Sequence, residues 1–291
     1  MHTIPQATKN SHDRFRRVTL GLTFIYCGLS LTVPTLALLI SSFRGRDFLG
    51  GFTSDWALRA WNDLGSMIVV DTFVRSLVYA GATTLLCAAI GIPLGIAIRS
   101  RGEAFQRRAS LLILFPITLN TLLVAYNWQV ILGNAGLLNS VLSSLALTNE
   151  PIPFLFNPLS VVAGMMGAYL PFFLLPFLAA LSKLDSGFVA ASSSLGASSR
   201  QTTLRVVLPM TRNGLATGCL LVFLPCFSEF ILPDLLGGGK TLLVGNLMQF
   251  WFYEGRNWPA GAALACVVLL LAGLLAVPFY RQIRSMFSEE A

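Results

Sequence analysis

Glu229 is the residue of this chain best placed to do chemistry. It is a lone carboxylate in apolar surroundings, with Pro225-Cys226-Phe227-Ser228 before it and Phe230-Ile231-Leu232-Pro233 after it. An ionised acid facing lipid costs about 3 kcal/mol or more. It must therefore turn inward, where water, a partner group or a cation compensates it. Asp234 follows five residues later. The two do not share a face of a straight helix, but a break at Pro233 brings both toward one path. Enzymic chemistry has little else to work with. The two histidines, His2 and His12, sit in a polar N-terminal tail. Cys27, Cys87, Cys219, Cys226 and Cys266 fall in apolar runs without metal-ligand spacing, and read as small core residues. No nucleophile stands with a base. Gly239-Lys240-Thr241 imitates the end of a phosphate-binding loop, but that pattern needs glycine five residues earlier, and Asp234 stands there. The segment reads as a glycine-rich turn. The chain is expected to bind no cofactor or metal of its own and to be no enzyme.

The elements that position these residues follow from composition. Of 291 residues, 55% are hydrophobic and 11% charged, against about 25% charged in soluble domains. A bilayer span needs roughly 20 apolar residues and must be helical. Six stretches qualify: Val18–Ser42, Arg75–Ile98, Ala109–Leu132, Leu159–Leu181, Leu215–Leu236 and Pro259–Tyr280. The expected class is an all-α membrane protein of about six transmembrane helices. The first run is too long for a signal peptide and lacks a small-residue cleavage site, so it reads as a retained helix. Counted from Leu215, Glu229 lies ~21 Å along the fifth span.

Charge orients the bundle. Lys9, Arg14, Arg16 and Arg17 precede the first span. Arg99, Arg101, Arg107 and Arg108 fill the second connection, and Lys183, Arg200, Arg205 and Arg212 the fourth; Arg281 and Arg284 follow the last span. Positive residues gather on the cytoplasmic side, so both termini are expected there. The net charge of +7 follows from this bias and needs no nucleic-acid partner. Residues 1–17 and 285–291 read as tails around one membrane domain, 18–284. The loop from Phe43 to Asp71, with Gly50-Gly51, Trp56 and Trp61, is expected to carry a short amphipathic piece at the interface. Pro151, Pro153 and Pro158 stiffen the loop after Gly133. Pro93, Pro116, Pro171, Pro176, Pro225 and Pro233 interrupt the spans, and the last two flank Glu229.

The connection over 183–212 has its own design. Asp185 or Ser186 can cap a helix starting near Gly187. Ala190, Ala191 and Leu195 give it a small, partly apolar face. Gly196 ends it, because glycine alone takes the left-handed terminal conformation without penalty. A second helix then starts near Ser198 and runs to Val207, with Leu208-Pro209 leading into the fifth span. The result is a knob that another protein can grip.

This spacing resembles the cytoplasmic loop of permease subunits in ATP-binding-cassette importers. The family pattern is Glu-Ala-Ala, three residues, Gly, nine residues, Ile, one residue, Leu-Pro. The chain matches at Ala191, Gly196, Leu208 and Pro209; Val206 replaces the isoleucine, and Ala190 stands where the glutamate is usual. Asp234-Leu235-Leu236-Gly237-Gly238-Gly239-Lys240-Thr241, Gly245-Asn246 and Arg256-Asn257-Trp258-Pro259 resemble the C-terminal part of spermidine/putrescine permeases, the first of their two permease subunits. Gly91-Ile92-Pro93-Leu94, Tyr126-Asn127-Trp128 and Gly136-Leu137-Leu138-Asn139 fit the same group. Relatives often carry arginine before the Tyr-Xaa-Trp segment; here Val124-Ala125 precede it.

The resemblance implies a type I importer permease fold in a bacterial inner membrane. It implies an ATPase homodimer that uses ATP and Mg, a second homologous permease subunit and an external binding protein. It assigns ATPase coupling to Ala190, Ala191, Leu195, Gly196, Ala197, Leu208 and Pro209. A polyamine cargo wants carboxylates and aromatic faces, which makes Glu229, Asp234, Tyr126, Trp128, Tyr169 and Trp251 the expected substrate pathway. Another organic cation, an opine or a phosphonate would suit the same machine. A stand-alone channel or secondary carrier would leave the Gly196-to-Pro209 spacing without a purpose.

Overall fold

A computed structural model describes the backbone over residues 6–288 and the side chains over 19–277. The elements in order are α1 (Gln6–Ser42), β1 (Arg44–Arg46), β2 (Phe52–Trp56), α2 (Arg59–Asp63), α3 (Met67–Arg99), α4 (Glu103–Ile117), α5 (Thr121–Leu132), α6 (Leu137–Ser144), α7 (Pro158–Ser182), α8 (Ser186–Ser194), α9 (Ser199–Thr202), a π-helical turn (Thr203–Val207), α10 (Leu208–Met210), α11 (Arg212–Phe227), α12 (Ile231–Gly237), α13 (Val244–Tyr253) and α14 (Trp258–Ser288). The side chains of His2, His12, Lys9, Arg14, Arg16, Arg17, Arg281 and Arg284 lie outside the described residues, as do the outermost parts of the predicted tails. The backbone from Gln6 onward already belongs to α1.

Among the described residues, four helices are long and apolar enough to cross a membrane, and up to six spans result if each of two bent helix pairs is one span. The centre is α7, held between α3 and α11. Its Phe173 and Phe177 are fully buried. They fit because α3 turns a stripe of small residues toward them: Ala80, Cys87, Gly91 and Gly95, all buried. A Cβ on Gly95 would stand 2.7 Å from the Phe177 ring, and one on Gly91 would strike Phe173. On the other side α11 offers Gly214 and Gly218 to the α7 backbone. Lipid is as apolar as a core, so membrane helices associate through such close approach rather than through the hydrophobic effect. By contrast α1 lies at the edge against α14. Nearly all its described side chains are exposed, Cys27 among them, so that cysteine is not the core residue expected. Cys87, Cys226 and Cys266 are buried.

Two predicted spans are not straight helices. The third is split around residues 118–120, where α4 meets the segment Thr121–Ser144, α5 with α6, at a bend of 97°. Pro116 lies at the end of α4, and Asn120 caps α5 by accepting from the Leu122 N–H at 2.9 Å. The fifth stops at Phe227 and resumes at Ile231, so Glu229 stands in a break and not on a continuous helix. Pro225 lies just before that break. Pro233 falls in the first turn of α12, where no amide donor is needed. Pro93, Pro171 and Pro176 sit inside α3 and α7, which run through them.

The first loop adds a feature the sequence reading did not name. Ahead of the short helix α2, β1 and β2 form an antiparallel hairpin. The Arg46 guanidinium pins the hairpin by donating to the carbonyls of Arg256 (3.0 Å) and Gly255 (2.8 Å). The hairpin and the connection after α7 lie at opposite ends of α3, a rod of ~50 Å at 1.5 Å per residue.

Candidate functional site

Two places carry the residues singled out in the sequence: the elbow between α7 and α11, and the break between α11 and α12.

The elbow is built from local signals. The Asp185 carboxylate accepts from the Gly187 N–H at 2.9 Å and starts α8. Gly196 ends it at φ +79°, a conformation that penalises every residue with a Cβ. Ser198 and Gln201 form a reciprocal capping box on α9. The Ser192 and Thr202 hydroxyls lie 2.9 Å apart and tie the two arms together. The chain then widens into a π turn before Pro209, whose missing N–H removes one regular helix bond, and Thr211 accommodates the 78° bend into α11. Ala190 and Ala191 are exposed, and Leu195, at the tip, is 88% exposed. Ala197 and Leu208 are half-buried and Pro209 is exposed. The elbow is therefore a braced hairpin that presents a small apolar tip.

At the break, Glu229 is 7% exposed. Its carboxylate accepts from the Tyr169 hydroxyl of α7, and from the backbone N–H groups of Phe230 (3.1 Å) and Ile231 (3.0 Å). It thus caps α12 and ties it to the central helix. The start of α13 comes to the same level. Gly245 lies against the carbonyls of Ser228 and Glu229, where a Cβ would collide. Asn246 donates to the Phe230 carbonyl at 2.9 Å and accepts from the Leu243 N–H at 3.3 Å. The Ser76 hydroxyl of α3 accepts from the Val244 N–H at 2.8 Å. Two helix starts thus meet at the break: the carboxylate of Glu229 caps α12, while the first amides of α13 are taken by Ser76 and Asn246.

This places the expected pathway residues in two groups. Glu229 and Tyr169 meet in a hydrogen bond. Asp234 is exposed on α12, and Tyr126 is 49% exposed on α5. These two helices pack together, and Gln129 of α5 donates to the Leu235 carbonyl at 2.9 Å. Trp128 packs on Gly167 of α7, and Trp251 is half-buried against the core. Ser76, Gln129, Ser160 and Asn246 were not singled out for this role by sequence reasoning, although each hydrogen-bonds the backbone of α12 or α13 or of the turns that start them. For Ser76 and Ser160 the available signal was a polar side chain inside an apolar run.

Residues 89–285 match the family described as binding-protein-dependent transport system inner membrane component. The spermidine/putrescine transport system permease protein PotB of Haemophilus influenzae is 32% identical over 270 residues, covering 93% of this chain and 94% of that protein. Among solved structures, a bacterial ABC transporter involved in the import of the acidic polysaccharide alginate superposes with a TM-score of 0.75, at 16% identity over 97% of this chain and 99% of the other. The alginate transporter in complex with an alginate pentasaccharide-bound periplasmic protein gives 0.74, at 16% identity over 96% and 97%. At that identity the likeness establishes the fold alone.

Proposed function

The chain belongs to the family of binding-protein-dependent transport system inner membrane components, and from that membership we propose that it forms half of a polyamine translocation pathway. It is a transport subunit rather than an enzyme. The observation that carries the polyamine reading is likeness to a spermidine/putrescine permease along nearly the whole of both chains. That coverage favours a polyamine over an opine or a phosphonate.

In this reading the elbow side faces the cytoplasm, together with both termini, and the hairpin side faces an external binding protein. An ATPase homodimer burning ATP with Mg grips the tip formed by Ala190, Ala191, Leu195 and Gly196. A second homologous permease subunit completes the pathway. Nucleotide-driven closure moves the elbow, and the bundle alternates between inward-open and outward-open states because the ATPase contacts each state differently. A polyamine passes Asp234 and Tyr126, with Trp128 and Trp251 in the wall behind. Glu229 and Tyr169 hold the break in shape and do not themselves take up an ammonium group.

The test is uptake of labelled spermidine and putrescine by proteoliposomes containing the chain with its copurifying subunits. ATP-dependent accumulation is expected. Accumulation without nucleotide, or none of either polyamine by an assembly that hydrolyses ATP, overturns the proposal.

A further inference from the structure

Beside the elbow is a cavity of about 500 Å³ whose lining includes Ala190 and Ala197. It lies where α3 and α7 end and α8 and α9 begin. Its floor is apolar, from Ile96, Leu181 and Leu184, and its rim carries the hydroxyls of Ser100, Ser186 and Ser199. Arg99 lines it and also lines a smaller cavity on its other side. The Arg99 Nε donates to the Leu181 carbonyl at 3.2 Å. The terminal guanidinium nitrogens have no partner among the described residues. The carboxylate nearest in sequence to the rim, that of Asp185, is engaged with the Gly187 N–H.

The geometry points to a site for one anionic phospholipid of the adjoining leaflet, with its phosphate on Arg99 and its first methylenes on the apolar floor. Three features select this occupant. Arg99 is the last residue of a spanning helix, so the site sits at headgroup depth. Pro93, Leu94 and Ala97 are exposed on α3 just above it and continue an apolar track for acyl chains into the leaflet. The elbow side carries eight arginine or lysine residues from Arg99 to Arg212 against two carboxylates, Glu103 and Asp185. Basic pockets between membrane helices hold anionic headgroups in this way. A lipid here touches the ends of α3 and α7 and both arms of the elbow at once, and so braces the elbow against the bundle. The site does not depend on which solute is carried.

The test is native mass spectrometry of the full-length chain with its copurifying subunits, titrated with phosphatidylglycerol. One lipid is expected to stay bound. Arg99→Gln should weaken it roughly tenfold, the effect of losing one charge-assisted hydrogen bond. Ser193→Phe, which fills the cavity from α8 and leaves Arg99 intact, should weaken it similarly. Phosphatidylethanolamine and inorganic phosphate should not displace it. Unchanged binding in both variants overturns the proposal, and so does displacement by inorganic phosphate, which would mark a free-anion site. If Arg99→Gln does not fold, Ser193→Phe decides alone. Failure of polyamine uptake has no bearing on this result.

Discussion

Replacing Glu229 separates a carboxylate that shapes the protein from one that meets the cargo. Glu229→Ala removes three accepted bonds at once. The Tyr169 hydroxyl is then left buried without a partner, at about 1–3 kcal/mol. The first amides of α12 lose their cap, at about 1 kcal/mol. Together the loss is about 2–4 kcal/mol. Glu229→Gln keeps a carbonyl oxygen where the Phe230 and Ile231 N–H groups need it, and its amide can still meet Tyr169. Only the extra strength of a charged acceptor is lost, about 1 kcal/mol. Thermal unfolding of the purified assembly can be followed with a thiol-reactive dye, because Cys87, Cys226 and Cys266 are buried in the fold. Glu229→Ala should unfold several degrees below the wild type and Glu229→Gln close to it. Polyamine uptake should follow the same order, with the glutamine variant retaining most of it. The refuting result is a glutamine variant that unfolds like the wild type and yet carries no polyamine. The negative charge would then act on the cargo, and the positioning account of Glu229 would fail.

Gly196→Val forces a β-branched residue into φ +79°, at a cost of about 1–3 kcal/mol; ATP hydrolysis should persist while uptake falls, measured side by side in proteoliposomes. Gly245→Ala drives a methyl into the carbonyls of Ser228 and Glu229, so it should cost about 1–3 kcal/mol and lower the unfolding temperature, whereas Gly81→Ala, inside α3 with open space around it and no positive φ, should not. Phe173→Ala opens a cavity at the centre of the bundle, where the ring is fully buried; a loss of about 3–5 kcal/mol should appear as poor recovery of folded protein in size-exclusion chromatography.

Helix class and the approximate places of the spans were legible because apolar run length is a direct consequence of bilayer thickness. The elbow was legible because its signals are local: Asp185 as a cap, Gly196 at a positive φ, Ser198 opening the next helix. A break beside Glu229 was legible because Pro225 and Pro233 flank a membrane acid. The one near Pro116 was not, since α3 and α7 continue through Pro93, Pro171 and Pro176. Helix breaks fall close to Pro116 and Pro225, where Asn120 and Glu229 supply side-chain acceptors for a new helix start. A proline only removes a donor; whether the helix parts depends on who satisfies the freed groups, and that is a tertiary matter. For the same reason the sequence left open whether water, a partner group or a cation compensates Glu229. Its partners, Tyr169 and the start of α12, are identified only once α7 and α11 are packed. The hairpin was missed because Gly50-Gly51 was read as part of an interfacial loop, although Gly-Gly between extended segments is a hairpin signal.

The elbow and the break are joined by one element. Helix α11 runs from the bend at Thr211 to the edge of the break at Ser228, ~24 Å as a straight helix. Its glycines hold it flush against α7, so displacement of the elbow can reach the break only as sliding or rocking of α11 along that seam. The seam is narrow at Gly214 and Gly218, where the α7 backbone itself is the contact, which resists bending of α11 on the elbow's half. Beyond the break, α12 is tied separately: to α7 through Glu229–Tyr169 and Ser160–Leu236, and to α5 through Gln129–Leu235. Residues 228–230 therefore join α11, packed on α7, to α12, tied to α7 and α5. The Glu229 carboxylate is bonded across this junction, to Tyr169 of α7 and to the first amides of α12, so any change at the elbow that travels along α11 reaches α12 through it.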